Sequence, residues 1–118
     1  MHPLPPDFDL GPIIGSQLTQ ICVDEFQIQL HFENGHIQGG GKVCLSSNGK
    51  IVELFHEQWK TCSGLEAVIG SQAVNWSTNG SHEFSIQFSS EATLVFAVQE
   101  GQYEDFTVQV GDGGLWVL

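Results

Sequence analysis

Apolar and polar residues alternate through most of this chain. In Phe26-Gln27-Ile28-Gln29-Leu30-His31-Phe32-Glu33 the apolar positions Phe26, Ile28, Leu30 and Phe32 share one face, which predicts a half-buried antiparallel strand. The same period returns at Phe84, Ile86 and Phe88, at Leu94, Phe96 and Val98, and at Phe106, Val108 and Val110. Turn signals separate these runs. Asn34-Gly35 precedes His36-Ile37, Asn48-Gly49 joins residues 43–45 to 51–55, and Asn79-Gly80 lies between 74–76 and 84–88. About nine short strands joined by hairpins predict a mainly β fold, an antiparallel sandwich or small barrel. One short helix fits residues 63–69, with Ser63 as cap, Glu66 at the capping-box position and Gly70 closing the end.

All four prolines fall within residues 1–12, which therefore read as an extended arm leading into a single β domain at 13–118. That domain contains an internal echo. Ile14-Gly15-Ser16-Gln17 recurs as Ile69-Gly70-Ser71-Gln72, 55 positions later, and each copy precedes a similar pair of strands. Phe26-Gln27-Ile28-Gln29-Leu30 compares with Phe84-Ser85-Ile86-Gln87-Phe88. Matches this short also arise by chance, but they predict two similar β halves, about 13–60 and 68–118, with the glycines as backbone devices.

Charge changes the picture most. Fourteen Asp and Glu face three Lys (Lys42, Lys50, Lys60) and no Arg, a formal net charge of -11 at pH 7. Most carboxylates therefore lack an internal partner. Three lysines cannot neutralise a phosphate backbone, so nucleic acid and anionic membranes are poor partners. A basic protein is the partner this field favours. Cys22, Cys44 and Cys62 are odd in number and lack C-x-x-C spacing, which suits reduced thiols in a cytoplasm. Cys22 and Cys44 lie in apolar runs and read as small core residues. The start, Met1-His2-Pro3-Leu4, has no secretory-signal pattern, and cytoplasmic localisation is the expectation.

Two constellations could carry chemistry. With a turn at Asn34-Gly35, Glu33 and His36 would be cross-strand partners and His31 would share their face, a three-ligand set for Zn²⁺ or Fe²⁺ in a metal-dependent barrel enzyme. The blander and commoner arrangement is a solvated face carrying a Glu–His pair. No other catalytic motif is present and no cofactor is implied. The acidic stretches are Asp24-Glu25, Glu53 to Glu57 (with Trp59 nearby), and Glu100, Tyr103, Glu104 and Asp105. Carboxylates beside an aromatic ring suit docking onto Lys and Arg, although a solvated acidic surface has the same composition.

The chain resembles a bacterial family of small, acidic, β-rich proteins of unknown function. The resemblance rests on Ile14-Gly15, the strand and turn at 26–35, the segment 65–70, and the tail Tyr103-Glu104-Asp105-Phe106 with Asp112-Gly113-Gly114-Leu115-Trp116-Val117. Phe106 stands where a Trp is expected. Families of this kind look like immunity proteins, which implies binding and neutralising a basic, nuclease-like toxin domain rather than enzymatic activity. A structural module that pairs with copies of itself is the third class.

Overall fold

The computed structural model describes residues 4–56, 59–60, 64–98, 106–111 and 114–118. The fold is mainly β. Its strands are β1 (Leu18–Val23), β2 (Ile28–Phe32), β3 (Gly35–Gly39), β4 (Lys42–Ser47), β5 (Lys50–His56), β6 (Trp59–Lys60), β7 (Ala73–Thr78), β8 (Glu83–Phe88), β9 (Thr93–Ala97), β10 (Phe106–Val110) and β11 (Gly114–Val117). All pairings between them are antiparallel. Sheet I has five strands in the order β1-β2-β3-β10-β11, and sheet II has six in the order β6-β5-β4-β9-β8-β7. Among the described residues no helix is long and apolar enough to cross a membrane.

The alternating pattern explains the layers. Ile28, Leu30, Phe32, Ile37, Val108 and Val110 of sheet I are buried, as are Val43, Leu45, Phe84, Ile86, Leu94 and Phe96 of sheet II. In β2, β4, β8, β9 and β10 every second side chain points inward, so the two apolar faces cover one another. Aromatic rings bridge the layers. Phe32 stacks on Phe88 at 6.2 Å, and Phe106 meets Phe84 and Phe96 edge-on at 6.1 and 5.6 Å. One corner is closed: Gln17 and Gln72 form an isolated bridge, and Leu18 N–H donates to Ser71 O while Gly70 N–H donates to Leu18 O. Among the described residues no other bridge joins the sheets, which form a sandwich pinned at one corner and not a closed barrel.

The strand order has a symmetry. Sheet I takes β1, β2 and β3 from the first part of the chain and β10-β11 from the second; sheet II takes β7, β8 and β9 from the second and β4-β5 from the first. A register shift falls between Leu18 and Gln20 in β1, and between Ala73 and Asn75 in β7. The two trios therefore exchange their closing hairpins, and neither sheet forms without both parts of the chain.

Several local expectations change in the folded chain. Asn48-Gly49 is a two-residue turn with positive φ at both positions (54° and 77°), as its sequence predicts. The turn between β2 and β3 is Glu33-Asn34 instead of Asn34-Gly35, because Phe32 pairs with Gly35. Gly35 is needed elsewhere: it lies against β10, and a Cβ there would overlap the Gln109 carbonyl oxygen. Asn34 Nδ2 meanwhile donates to Pro12 O at 2.6 Å.

The described part of the N-terminal segment packs onto the sheets. Phe8 and Leu10 are buried, residues Gly11–Ile13 form a 3₁₀ turn, and Leu4 N–H donates to Ser81 O at 2.7 Å. The helix expected at 63–69 is reduced to a 3₁₀ turn at Leu65–Ala67 after Gly64, whose φ of 87° cannot belong to a helix; Ser63 lies outside the described residues. Cys22 and Cys44 are half-buried on the outer faces, paired with Gln29 and with Val95 and Glu53, and are not core residues. Burial pushes the Cys44 thiol above its ordinary pKa; Lys42 pulls it down, and Glu53 and Glu83 add to the rise.

Candidate functional site

The loop from β1 to β2 is built by one carboxylate. Asp24 Oδ1 accepts hydrogen bonds from the N–H groups of Phe26 and Gln27, both at 2.8 Å, and Asp24 N–H donates to Gln27 O at 3.0 Å. This Asx-type turn fixes the loop backbone and starts β2 only at Ile28. Phe26, expected on the buried face, is instead 78% exposed. The apolar alternation extends one residue pair upstream of the strand, across a turn that Asp24 initiates.

Behind the loop lies an open hollow of about 250 Å³. Phe26 and Gln27 form one wall, Gln38, Gly39 and Gly40 the floor of the β3 end, and Phe106 and Thr107 the far side. Gly40 keeps the chain close: a Cβ there would stand 3.0 Å from the Phe26 carbonyl oxygen. The hollow is lined mainly by polar groups, the amides of Gln27 and Gln38, the Thr107 hydroxyl and backbone, with the exposed Phe26 at its edge. Among the described residues no carboxylate lines it, and Asp24 and the exposed Glu25 sit on the loop that borders it.

Sheet I has an unusual surface for so acidic a chain. Its five strands contain no Asp, Glu or Lys. The cross-strand registers place Gln20, His31, His36, Gln109 and Leu115 in one row of its outer face, and Cys22, Gln29, Gln38, Thr107 and Val117 in the next. Asp24, Glu25 and Glu33 lie in the loops of sheet I, and all three lysines lie on strands of sheet II.

The predicted metal set does not assemble. His31 pairs directly with His36, their rings stacked at 5.7 Å and 21°, and His31 Nε2 lies 3.2 Å from Gln29 Oε1. Glu33 is in the turn, where its Oε1 accepts the Gln17 N–H at 2.7 Å. The one-residue shift of the turn moved Glu33 out of register. Among the described residues no group of three His, Cys, Asp or Glu is placed to hold a metal ion.

The acidic stretches are not gathered into one patch by the described residues. Asp24 and Glu25 are on a sheet I loop, whereas Glu53 is half-buried on β5 of sheet II, opposite Cys44. Trp59 lies on β6, opposite His56. Glu57, Glu100, Tyr103, Glu104 and Asp105 fall outside the described residues. Phe26 and the hollow were missed in the sequence, although Asp24 two residues before Phe26 is the turn signal that could have exposed them. No protein-family model, no curated protein and no solved structure matches this chain.

Proposed function

We propose that this is a small acidic binding protein that docks a basic protein partner, in the manner of a bacterial cytoplasmic immunity protein that blocks a nuclease-like toxin domain. The observation that supports the reading is the Asp24–Gln27 loop: Asp24 and Glu25 lead directly into an exposed phenyl ring beside an open hollow. A cationic side chain of the partner would meet the ring face of Phe26 and the carboxylate of Glu25 together. The net charge of -11 would steer that partner in. Gln27, Gln38 and Thr107 would supply neutral hydrogen bonds around the anchor. Blocking would be steric and electrostatic, with no bond made or broken.

The test is binding to basic protein domains, a nuclease domain among them, measured at several salt concentrations. Association should slow about tenfold or more between low and moderate salt. Phe26→Ala should weaken affinity by about tenfold or more, as expected of a central aromatic anchor. Glu25→Gln should reduce the salt dependence. Salt-independent association, or full affinity in Phe26→Ala, would reject the reading.

A further inference from the structure

The free edge of sheet I is β11, and among the described residues no strand lies beyond it. Phe106 and Leu118 exchange both backbone hydrogen bonds, at 3.3 and 2.8 Å. With the β10–β11 register, this directs the backbone groups of Gly114 and Trp116 toward β10 and those of Leu115 and Val117 outward. The side chains of these same two residues are 61% and 47% exposed. Edge strands usually carry a guard, such as a lysine, a proline or a bulge. The edges β1 and β7 each have a register shift and are tied together at the Gln17–Gln72 bridge. β11 has no charge, no proline and no register shift.

We propose that β11 is a self-association edge, pairing antiparallel with β11 of a second copy across a twofold axis at Trp116. In that register Leu115 faces Val117 of the partner subunit, and Val117 faces Leu115 of the partner subunit. Each pair exchanges two backbone hydrogen bonds, so every outward group of the two residues is satisfied, and the five strands of each sheet I join into one continuous sheet. The charge distribution selects this occupant. Within β10 and β11 themselves there is no Asp, Glu or Lys, so the strand edge offers a basic partner no carboxylate of its own. Two chains that each carry a net charge of -11 repel one another least where their strands hold no carboxylate.

The edge is separate from the Phe26 hollow, and salt tells the two apart. Sedimentation of the purified chain from ~10 µM to ~1 mM should show a monomer–dimer equilibrium. Raising salt from about 0.05 to 0.5 M should tighten the dimer severalfold by screening like charges, opposite in sign to the effect on a basic partner. Val117→Lys should return the chain to monomer. Leu115→Pro should do the same, because it removes an outward N–H and leaves the β10 ladder whole. Phe26→Ala should leave the dimer unchanged. Far-UV circular dichroism checks that each variant keeps its sheet content. A monomer at ~1 mM in both salts, or a dimer that survives Val117→Lys in a folded protein, overturns the proposal.

Discussion

Phe8→Ala tests whether the N-terminal segment belongs to the core. Phe8 is 7% exposed and touches three rings: Trp76 at 5.8 Å, Phe84 at 5.1 Å and Trp116 at 5.3 Å. Trp76 and Phe84 belong to sheet II and Trp116 to sheet I, so this one side chain ties the segment to both layers. Truncating a buried Phe to Ala costs about 3–5 kcal/mol through lost transfer energy and the cavity left behind. Its site lies close to solvent and can partly relax, which favours the low end. The three ring contacts, each worth about 0.5–1.5 kcal/mol beyond area in favourable geometry, push the other way. A loss of about 3–4 kcal/mol is expected. Whole-domain stability for 118 residues is of order 6–18 kcal/mol, so the variant should fold but be weakened. Urea unfolding followed by tryptophan emission suits the site, since two of its three neighbours are tryptophans. With a slope of about 1–3 kcal/mol/M, the midpoint should fall by about 2 M. A loss under about 1 kcal/mol would refute the packing argument, because it is what a surface arm would give.

Other consequences can be checked by similar means. Gly35→Ala should cost about 3 kcal/mol, since its Cβ meets a backbone carbonyl that paired β10 cannot withdraw, whereas Gly15→Ala, with φ at 93° and open space around it, should cost only its conformational strain, about 1–2 kcal/mol. Urea midpoints of the two variants would separate these effects. The raised Cys44 thiol means the native state holds its proton to higher pH than the unfolded chain does, so stability is lost as pH climbs past the ordinary thiol range. Cys44→Ala should flatten that alkaline loss, and an unchanged slope of midpoint against pH would count against it.

Much of the architecture is written in local pattern. The apolar alternation of residues 28–32, 84–88 and 94–96 names the buried side chains correctly, because period-two spacing leaves a half-buried strand little choice of face. Asn48-Gly49 specified its own turn, since both positions require positive φ and few residues supply it. The echo of Ile-Gly-Ser-Gln precedes strands that hold matching places in the two sheets, and those motifs meet at the Gln17–Gln72 bridge.

Composition and spacing by themselves determined a mainly β chain with a deficit of cations. Only tertiary structure decided where that charge lies and which residues are free to meet a partner. Asn34-Gly35 carries as strong a turn signal as Asn48-Gly49, but the approach of β10 claims Gly35 and moves Glu33 away from His31 and His36. Phe26 fits the alternation until Asp24 captures two backbone amides and ends it. The exchange of hairpins between sheets gathers the neutral strands β1, β2, β3, β10 and β11 into one surface with an open edge. These outcomes depend on contacts between segments far apart in the chain. A local pattern sets which face of a strand is apolar, but not which strand lies beside it.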